Sequence, residues 1–201
     1  MKLLKQIILV NQLKDKNRAK LQFFEIEGNS FIKELETTAF IGKNGMTSEK
    51  MEGDKKTPVG IFEFGTAFGT HKKILNNKIP YISINENLYW VDDEESAYYN
   101  NLVNITKTKK DWNSAEHLCD YLDEYEYALE IKANPCNEKG KGSAIFLHCS
   151  NNRETSGCIA IDRCSMRKIL EKVEPGAIIV IRKYDEYYIN DYINDYINDS
   201  I

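Results

Sequence analysis

The chain has 201 residues, of which 42% are hydrophobic and 29% charged, a balance typical of one folded globular domain that needs neither disulfides nor metals. The formal net charge is −4, but residues 184–201 contribute five acidic residues and no Lys or Arg, so the rest of the chain is nearly neutral. The absence of a basic cluster argues against nucleic acid as a partner, and no apolar run approaches the ~18 residues that span a membrane.

The beginning of the chain resembles a secretory leader only superficially. Its apolar run, Ile7 to Val10, is shorter than the ~7–15 residues of a leader's hydrophobic region, and no small-residue cleavage site follows. We therefore interpret this segment as a strand. Five cysteines without a CxxC pair argue against a disulfide scaffold.

Strand patterns dominate the rest of the chain, and we predict a mainly β domain with a few helices, an α+β fold. The Gly28-Asn29 dipeptide favours a hairpin. One helix is predicted to begin at Ser114 and to carry Leu118 and Leu122 on one face. The other predicted helix is Ser165–Val173. The predicted strands are Gln6–Asn11, Ala19–Glu27, Ser30–Glu36, Gly60–Phe64, Tyr81–Ile84, Tyr89–Val91, Tyr127–Ile131, Ala144–Leu147, Ser156–Asp162 and Ala177–Ile181.

Two further segments define the domain organisation. A glycine-bearing loop is predicted from Gly42 to Thr57, and loops of this kind commonly border a site. Residues 184–201 repeat Tyr-Ile-Asn-Asp, a low-complexity pattern that predicts a flexible or loosely helical tail. We therefore expect one domain over residues 1–183 and a separate tail over residues 184–201.

The chemistry-bearing pair is His148 and Cys158. A cysteine becomes a nucleophile beside a histidine or oriented backbone N–H groups, and Gly157 would allow such groups a close approach. Period-2 alternation places Cys158 and Ala160 on one face of their strand, where a small Ala leaves room for substrate. A Cys and a His ten positions apart are common by chance, so two ordinary buried residues stay an alternative on this evidence alone.

A wider pattern surrounds the pair. The segment Gly142 to His148, followed by Thr155-Ser156-Gly157-Cys158-Ile159-Ala160, resembles the His…(S/T)xGC signature of YkuD-type L,D-transpeptidases, in the subgroup with a GC(V/I)A ending. Upstream, Gly53 to Phe62 resembles that family's GDxxTPxGxF loop and strand. Further similar blocks follow in the same order: Trp90-Val91-Asp92-Asp93, Tyr98-Tyr99-Asn100 and Asn134. The resemblance covers roughly residues 6 to 183.

The resemblance implies a curved mixed β-sheet or sandwich capped by helices, and a cysteine acyltransferase that acts on peptidoglycan stem peptides. In such enzymes the cysteine attacks the carbonyl at the L-centre of the third residue of a tetrapeptide donor and expels D-alanine. An amine acceptor then captures the thioester, giving 3-3 cross-links or a related transfer. No cofactor or metal is implied.

Carried over by residue, the resemblance makes Cys158 the nucleophile and His148 the general base. Gly157 and neighbouring amides would stabilise the oxyanion. Thr155 and Ser156 are expected to support the loop rather than react, although Ser156 is retained among the candidate catalytic residues. The candidate substrate-binding residues are Asp93, Tyr99, Asn100 and Asn134, which turn or packing contacts explain about as well.

Some features depart from the family. Many members carry Arg where this chain has Ala160, although the GC(V/I)A subgroup shares the Ala. Cys149, next to His148, is expected to point away from it as a buried filler. The resemblance implies the cell envelope or secretion. The leader-like start is too short, so the sequence is compatible either with a cytoplasmic protein or with a signal removed beforehand.

Other functions fit less well. A zinc site of His148, Cys149, Cys158 and Cys164 lacks paired ligand spacing, and alternation sends Cys149 to the other face. No phosphate-loop or dinucleotide fingerprint occurs. His71 and His117 are expected to be a loop and a helix-surface residue. Two alternatives stay open: an L,D-carboxypeptidase that hydrolyses the same bond, and an inactive module that binds cell-wall peptides.

Overall fold

A computed structural model of the protein describes residues 4–28, 30–72 and 78–183. The predicted tail over residues 184–201 and Asn29 of the hairpin dipeptide lie outside the described residues.

Within the described residues the fold is mainly β, as predicted, with one α-helix, α1 (Arg163–Lys172), and a 3₁₀ turn at Leu118–Tyr121. The strands are β1 (Gln6–Gln12), β2 (Arg18–Glu27), β3 (Ser30–Phe40), β4 (Met46–Thr47), β5 (Thr57–Pro58), β6 (Gly60–Gly69), β7 (Tyr81–Ser83), β8 (Leu88–Val91), β9 (Leu102–Asn104), β10 (Ala115–His117), β11 (Tyr127–Ile131), β12 (Phe146–Cys149), β13 (Ile159–Ile161) and β14 (Ile178–Arg182).

The main sheet closes into a barrel-like ring. Its strand order is β11, β12, β13, β3, β2, β1, β14, β6 and β7, and β11 also pairs with β6. Three strand pairs of this sheet, β1 with β14, β12 with β13 and β6 with β7, are parallel. A smaller sheet of β10, β8 and β9 lies beside the ring, and β4 pairs with β5 in the glycine-bearing loop.

Several strands bury both faces because apolar residues occupy consecutive positions. On β1, Ile8 and Val10 belong to the main core, whereas Ile7 and Leu9 join a second cluster on the opposite face. Burying apolar area on both faces contributes about 25 cal/mol per Å² to stability. These strands are therefore buried on both faces rather than exposed to solvent on one.

Helix α1 packs on this scaffold directly after β13. Asp162 caps its first turn, since its carboxylate accepts the Ser165 N–H at 2.9 Å. Met166 and Ile169 are fully buried in the main core. The helix confirms the predicted Ser165–Val173 helix within two residues at its start.

The helix predicted from Ser114 is wrong. Ala115–His117 instead pairs antiparallel with β8, and only a 3₁₀ turn follows. Leu118 is fully buried, but Leu122 is 50% exposed, so the two do not form one apolar face. His117 accordingly lies on a strand rather than on a helix surface.

The strand predicted over residues 156–162 is shorter, Ile159–Ile161, because residues 156 and 157 bend. In the described residues no helix has the length and apolar content needed to cross a membrane.

Candidate active site

The parallel pair of β12 and β13 brings the predicted catalytic residues together. His148 lies opposite Ala160 in the register, and Cys158 directly precedes β13. Ile159 and Ile161 enter the main core, whereas Cys158 joins a third apolar cluster on the other face of the strand. This confirms the predicted alternation. The cleft at this face has a volume of about 430 Å³, and its lining is Lys43, Lys55, Glu116, Tyr121, Glu124, Tyr125, His148, Asn151, Arg153, Glu154, Thr155, Ser156, Cys158 and Ala160.

The Cys158 thiol is held by backbone groups at the start of β12 and just before it. Its sulfur accepts the Phe146 N–H at 3.3 Å, and the S–H donates to the Ala144 carbonyl at 3.2 Å. Burial, with the negative charge of Glu116, raises the pKa of Cys158 to about 12. The resting group is therefore a neutral thiol, which needs a base before it can attack.

His148 has the form of such a base. Its Nδ1 lies 2.8 Å from the Cys149 carbonyl, and because a carbonyl only accepts, Nδ1 must carry the proton. Nε2 is then unprotonated and able to accept one. Burial lowers the pKa of His148, which keeps the ring neutral near pH 7.

The pair does not form a direct hydrogen bond in this state: among the described residues, the thiol bonds to Ala144 and the imidazole to Cys149. Catalytic hydrogen bonds are often long or absent before substrate binds. A rotation of the thiol away from Ala144 is required for transfer of its proton to Nε2.

The turn before Cys158 is tied down by Thr155. The Thr155 hydroxyl donates to the Cys158 carbonyl at 2.7 Å and accepts the Gly157 N–H at 3.1 Å. This agrees with a supporting role for Thr155. Because the Gly157 N–H is already bonded, its part in stabilising an oxyanion stays a prediction. Ser156 is exposed, lines the cleft and makes no side-chain hydrogen bond among the described residues.

A buried ion pair lies under the same turn. Lys50 Nζ donates to Asp54 Oδ1 at 2.5 Å, and the two side chains are only 10% and 8% exposed. A Cβ added to Gly157 would lie 3.7 Å from that Nζ, so the ammonium adjoins the turn that precedes Cys158. Its charge favours the thiolate of Cys158, against the opposing effects of burial and Glu116.

The four candidate substrate-binding residues lie away from the lining of this cleft. Asp93 accepts the N–H groups of two nearby residues, and Tyr99 donates to Glu52 at 2.6 Å. The Asn134 side chain bonds to the backbone of residues 138 and 142. These contacts are structural, and direct substrate binding by any of the four stays a prediction.

Asn100 is linked to Cys158 through one residue, Ala144. Its Oδ1 accepts the Ala144 N–H at 3.1 Å and the Trp90 indole N–H at 3.1 Å. Ala144 has a positive φ of 52°, which is uncommon for a residue with a Cβ. Asn100 therefore helps to fix the Ala144 carbonyl, the group that accepts the thiol proton.

Sequence reasoning missed three contributors to this cleft. The Cys149 carbonyl orients His148, while the Cys149 side chain faces the main core as expected. Tyr125 packs edge-on against the His148 ring at 5.5 Å, and its hydroxyl donates to Glu116 at 2.5 Å. The wrong helix prediction hid Glu116, because the pairing of β10 with β8 is what places it.

The other cysteines do not compete for the role. All five are free, Cys119 is partly buried, and Cys136 and Cys164 are exposed. Burial raises the pKa of Cys149 to about 11, and the side chain faces the core, away from the cleft. Within the described residues, no group of three His, Cys, Asp or Glu side chains could hold a metal ion.

Comparison with known proteins identifies the family. The chain matches the YkuD family, the L,D-transpeptidase catalytic domain, over residues 5–181. No curated protein sequence matches it. The chain therefore belongs to the YkuD family.

Solved structures share the fold. Bd1075 of Bdellovibrio bacteriovorus is 20% identical with a TM-score of 0.51, and the match covers 98% of this chain and 54% of that one. The helical cell shape determining protein Pgp2 of Campylobacter jejuni is 17% identical with a TM-score of 0.51, covering 94% and 51%. The chain thus spans about half the length of these proteins.

Proposed function

We propose that this YkuD-family domain is a cysteine acyltransferase that acts on peptidoglycan stem peptides by L,D-transpeptidation. The observation that carries the proposal is the shared cleft of Cys158 and His148, on neighbouring parallel strands, in a chain of this family. Family membership supports a peptidoglycan-related role in general. The tetrapeptide donor, the amine acceptor and the release of D-alanine belong to the proposal.

The contacts of the cleft define the order of proton transfers. As the sulfur attacks the donor carbonyl, the thiol proton leaves the Ala144 carbonyl and passes to His148 Nε2, because Nδ1 already donates to Cys149. The imidazolium then protonates the leaving amine, the C–N bond breaks, and D-alanine departs. A thioester to Cys158 remains.

The thioester can be released in two ways. Attack by an amine gives the cross-linked peptide, whereas attack by water gives a tripeptide and makes the protein an L,D-carboxypeptidase. Both regenerate the thiol. The nucleophile that reacts faster with the thioester, amine or water, determines whether the protein is an L,D-transpeptidase or an L,D-carboxypeptidase.

Product analysis tests the proposal. The protein is incubated with a disaccharide-tetrapeptide whose third residue carries a side-chain amine, and the products are separated by mass. We expect D-alanine and a cross-linked dimer. Tripeptide without dimer would show a carboxypeptidase, and absence of both D-alanine and an acyl-protein would show a binding module without turnover.

A further inference from the structure

Glu116 is a carboxylate in the cleft that the acylation steps do not use. It lies on β10 opposite Trp90, is partly buried, and accepts the Tyr125 hydroxyl at 2.5 Å. Among the described residues, Glu116 has no Lys, Arg or His within ion-pairing distance. Its neighbour in the cleft, Glu124, differs in this respect, since it pairs with Arg153 at 3.3 Å. Partial burial of a carboxylate without a cation costs free energy, so Glu116 favours binding of a positively charged ligand.

The protonation of Glu116 is balanced near neutrality. Burial raises the pKa of its carboxyl to about 7, assisted by the negative charges of Asp92 and Glu52 and opposed by the hydrogen bond from Tyr125. Such a group can both bind a cation as a carboxylate and keep a proton that it receives.

Glu116 is also close enough to the Cys158 thiol to affect its ionisation. Its charge is one of the causes that raise the pKa of the Cys158 thiol. The Tyr125 ring that holds its carboxylate stands edge-on against His148, with 5.5 Å between the ring centres. A nucleophile that reaches the thioester must enter this cleft, where His148 and Glu116 both line the wall.

We infer that Glu116, held by Tyr125, recognises the protonated amine of the acceptor and accepts its first proton. This inference rests on the proposed function and specifies how the acceptor is chosen. An alkylammonium has a pKa near 10.4 and cannot attack until it loses a proton. Water carries no charge, so it gains no charge attraction from Glu116.

The proton balance of this step closes. The ammonium gives one proton to the Glu116 carboxylate, and the neutral amine attacks the thioester carbon. His148 takes a second proton from the nitrogen and delivers it to the sulfur as the C–S bond breaks. Thioester, ammonium and carboxylate thus become amide, thiol and carboxylic acid.

The test measures how the thioester is partitioned. Glu116→Gln removes the charge but keeps an oxygen that can accept from Tyr125. With the tetrapeptide as donor and acceptor, we expect the ratio of dimer to tripeptide to fall about tenfold, the size of effect of a hydrogen bond to a charged group. An unchanged ratio would overturn the inference.

Hydroxylamine, which is neutral at the assay pH, provides a second readout. It should give the hydroxamate equally well with wild-type protein and Glu116→Gln, because it needs no carboxylate. A loss of hydroxamate parallel to the loss of dimer would show general damage to the site and contradict the inference. Glu95→Gln, the same exchange at an exposed carboxylate outside the cleft, is the matched control.

Failure of this inference is distinguishable from failure of the proposed function. If Cys158→Ala still releases D-alanine, the acyltransferase assignment falls. If Cys158→Ala releases none, while wild type, Glu95→Gln and Glu116→Gln all release D-alanine and partition the thioester alike, the assignment stands and the role of Glu116 does not. Should Glu116→Gln fail to fold, Tyr125→Phe is used in its place, because it keeps the ring against His148 and removes the hydroxyl that holds the carboxylate. An unchanged ratio of dimer to tripeptide in that variant would refute the inference.

Discussion

His148 lies directly opposite Ala160 across the parallel pair of β12 and β13, so the imidazole and Cys158 are two residues apart along neighbouring strands. Two residues span about 6.6 Å of strand. The small side chain of Ala160 is therefore the one that β13 places beside His148 on the cleft face.

The first prediction concerns the space beside Ala160. Ala160→Leu should block the donor peptide and lower D-alanine release by at least about tenfold, with a stability cost of about 1–3 kcal/mol from overpacking. Ala160→Ser, which adds one atom, is the control and should retain most activity. Steady-state kinetics and urea unfolding measure the two effects, and full activity in the Leu variant would show that substrate binds elsewhere.

The second prediction is the pH dependence of D-alanine release. Burial lowers the pKa of His148 below its usual value of 6.5, so the imidazole is neutral at and above that pH. The rate of D-alanine release should therefore rise with pH only below pH 6.5. Ionisation of Glu116, with a pKa of about 7, puts negative charge beside the sulfur and should produce a descending limb above neutrality. Glu116→Gln, which has no carboxyl group to ionise, should abolish that descending limb. An ascending limb above pH 7 in both proteins would identify a different base.

The third prediction concerns the buried pair of Lys50 and Asp54. Lys50→Met leaves the Asp54 carboxylate without its cation and should lower the free energy of unfolding by about 3 kcal/mol. The exposed pair of Arg167 and Glu171 provides the control, since Arg167→Met should change stability little. Urea unfolding compares them. Equal losses of unfolding free energy in the two variants would show that burial of the Lys50–Asp54 pair does not increase its contribution to stability.

The same variant has a chemical readout. Without the nearby ammonium, the Cys158 thiolate loses a favourable charge, so alkylation by iodoacetamide should slow at a given pH. Unfolding and alkylation are measured on the same preparation. An unchanged alkylation rate would separate Lys50 from the nucleophile.

The fourth prediction concerns Gly157. Its φ of 149° is a conformation that residues with a Cβ rarely adopt, and an added Cβ would lie 3.1 Å from the Lys56 carbonyl. Gly157→Ala should destabilise the protein by about 1–3 kcal/mol and displace Cys158. Gly53 also has positive φ but open space around it, so Gly53→Ala should cost less. Thermal unfolding measures the loss of stability in both variants. Equal losses would contradict the crowding at Gly157.

The meeting of Cys158 and His148 in one cleft was predictable because local patterns encode their two strands. The apolar run before His148 and the alternation after Gly157 both describe strands of a buried sheet, and β12 and β13 follow those patterns. The same alternation correctly directed Cys149 into the core. What the patterns do not contain is the pairing partner of each strand.

Glu116 illustrates that limit. Ser114 with Leu118 and Leu122 has the spacing of a capped amphipathic helix, whereas the pairing with β8 is a long-range contact that no short window reveals. Asn100 is a similar case: its bond to the Ala144 N–H joins residues 44 positions apart. Its place in the sequence suggested a site residue, but only the structure shows what it touches.

The most direct test of the central claim is mass spectrometry of the intact protein after brief mixing with a tetrapeptide donor. The account predicts a mass increase equal to the acyl tripeptide, mapped to Cys158, present in Cys149→Ala and absent in Cys158→Ala. An adduct on another residue, or D-alanine release from Cys158→Ala, would contradict it.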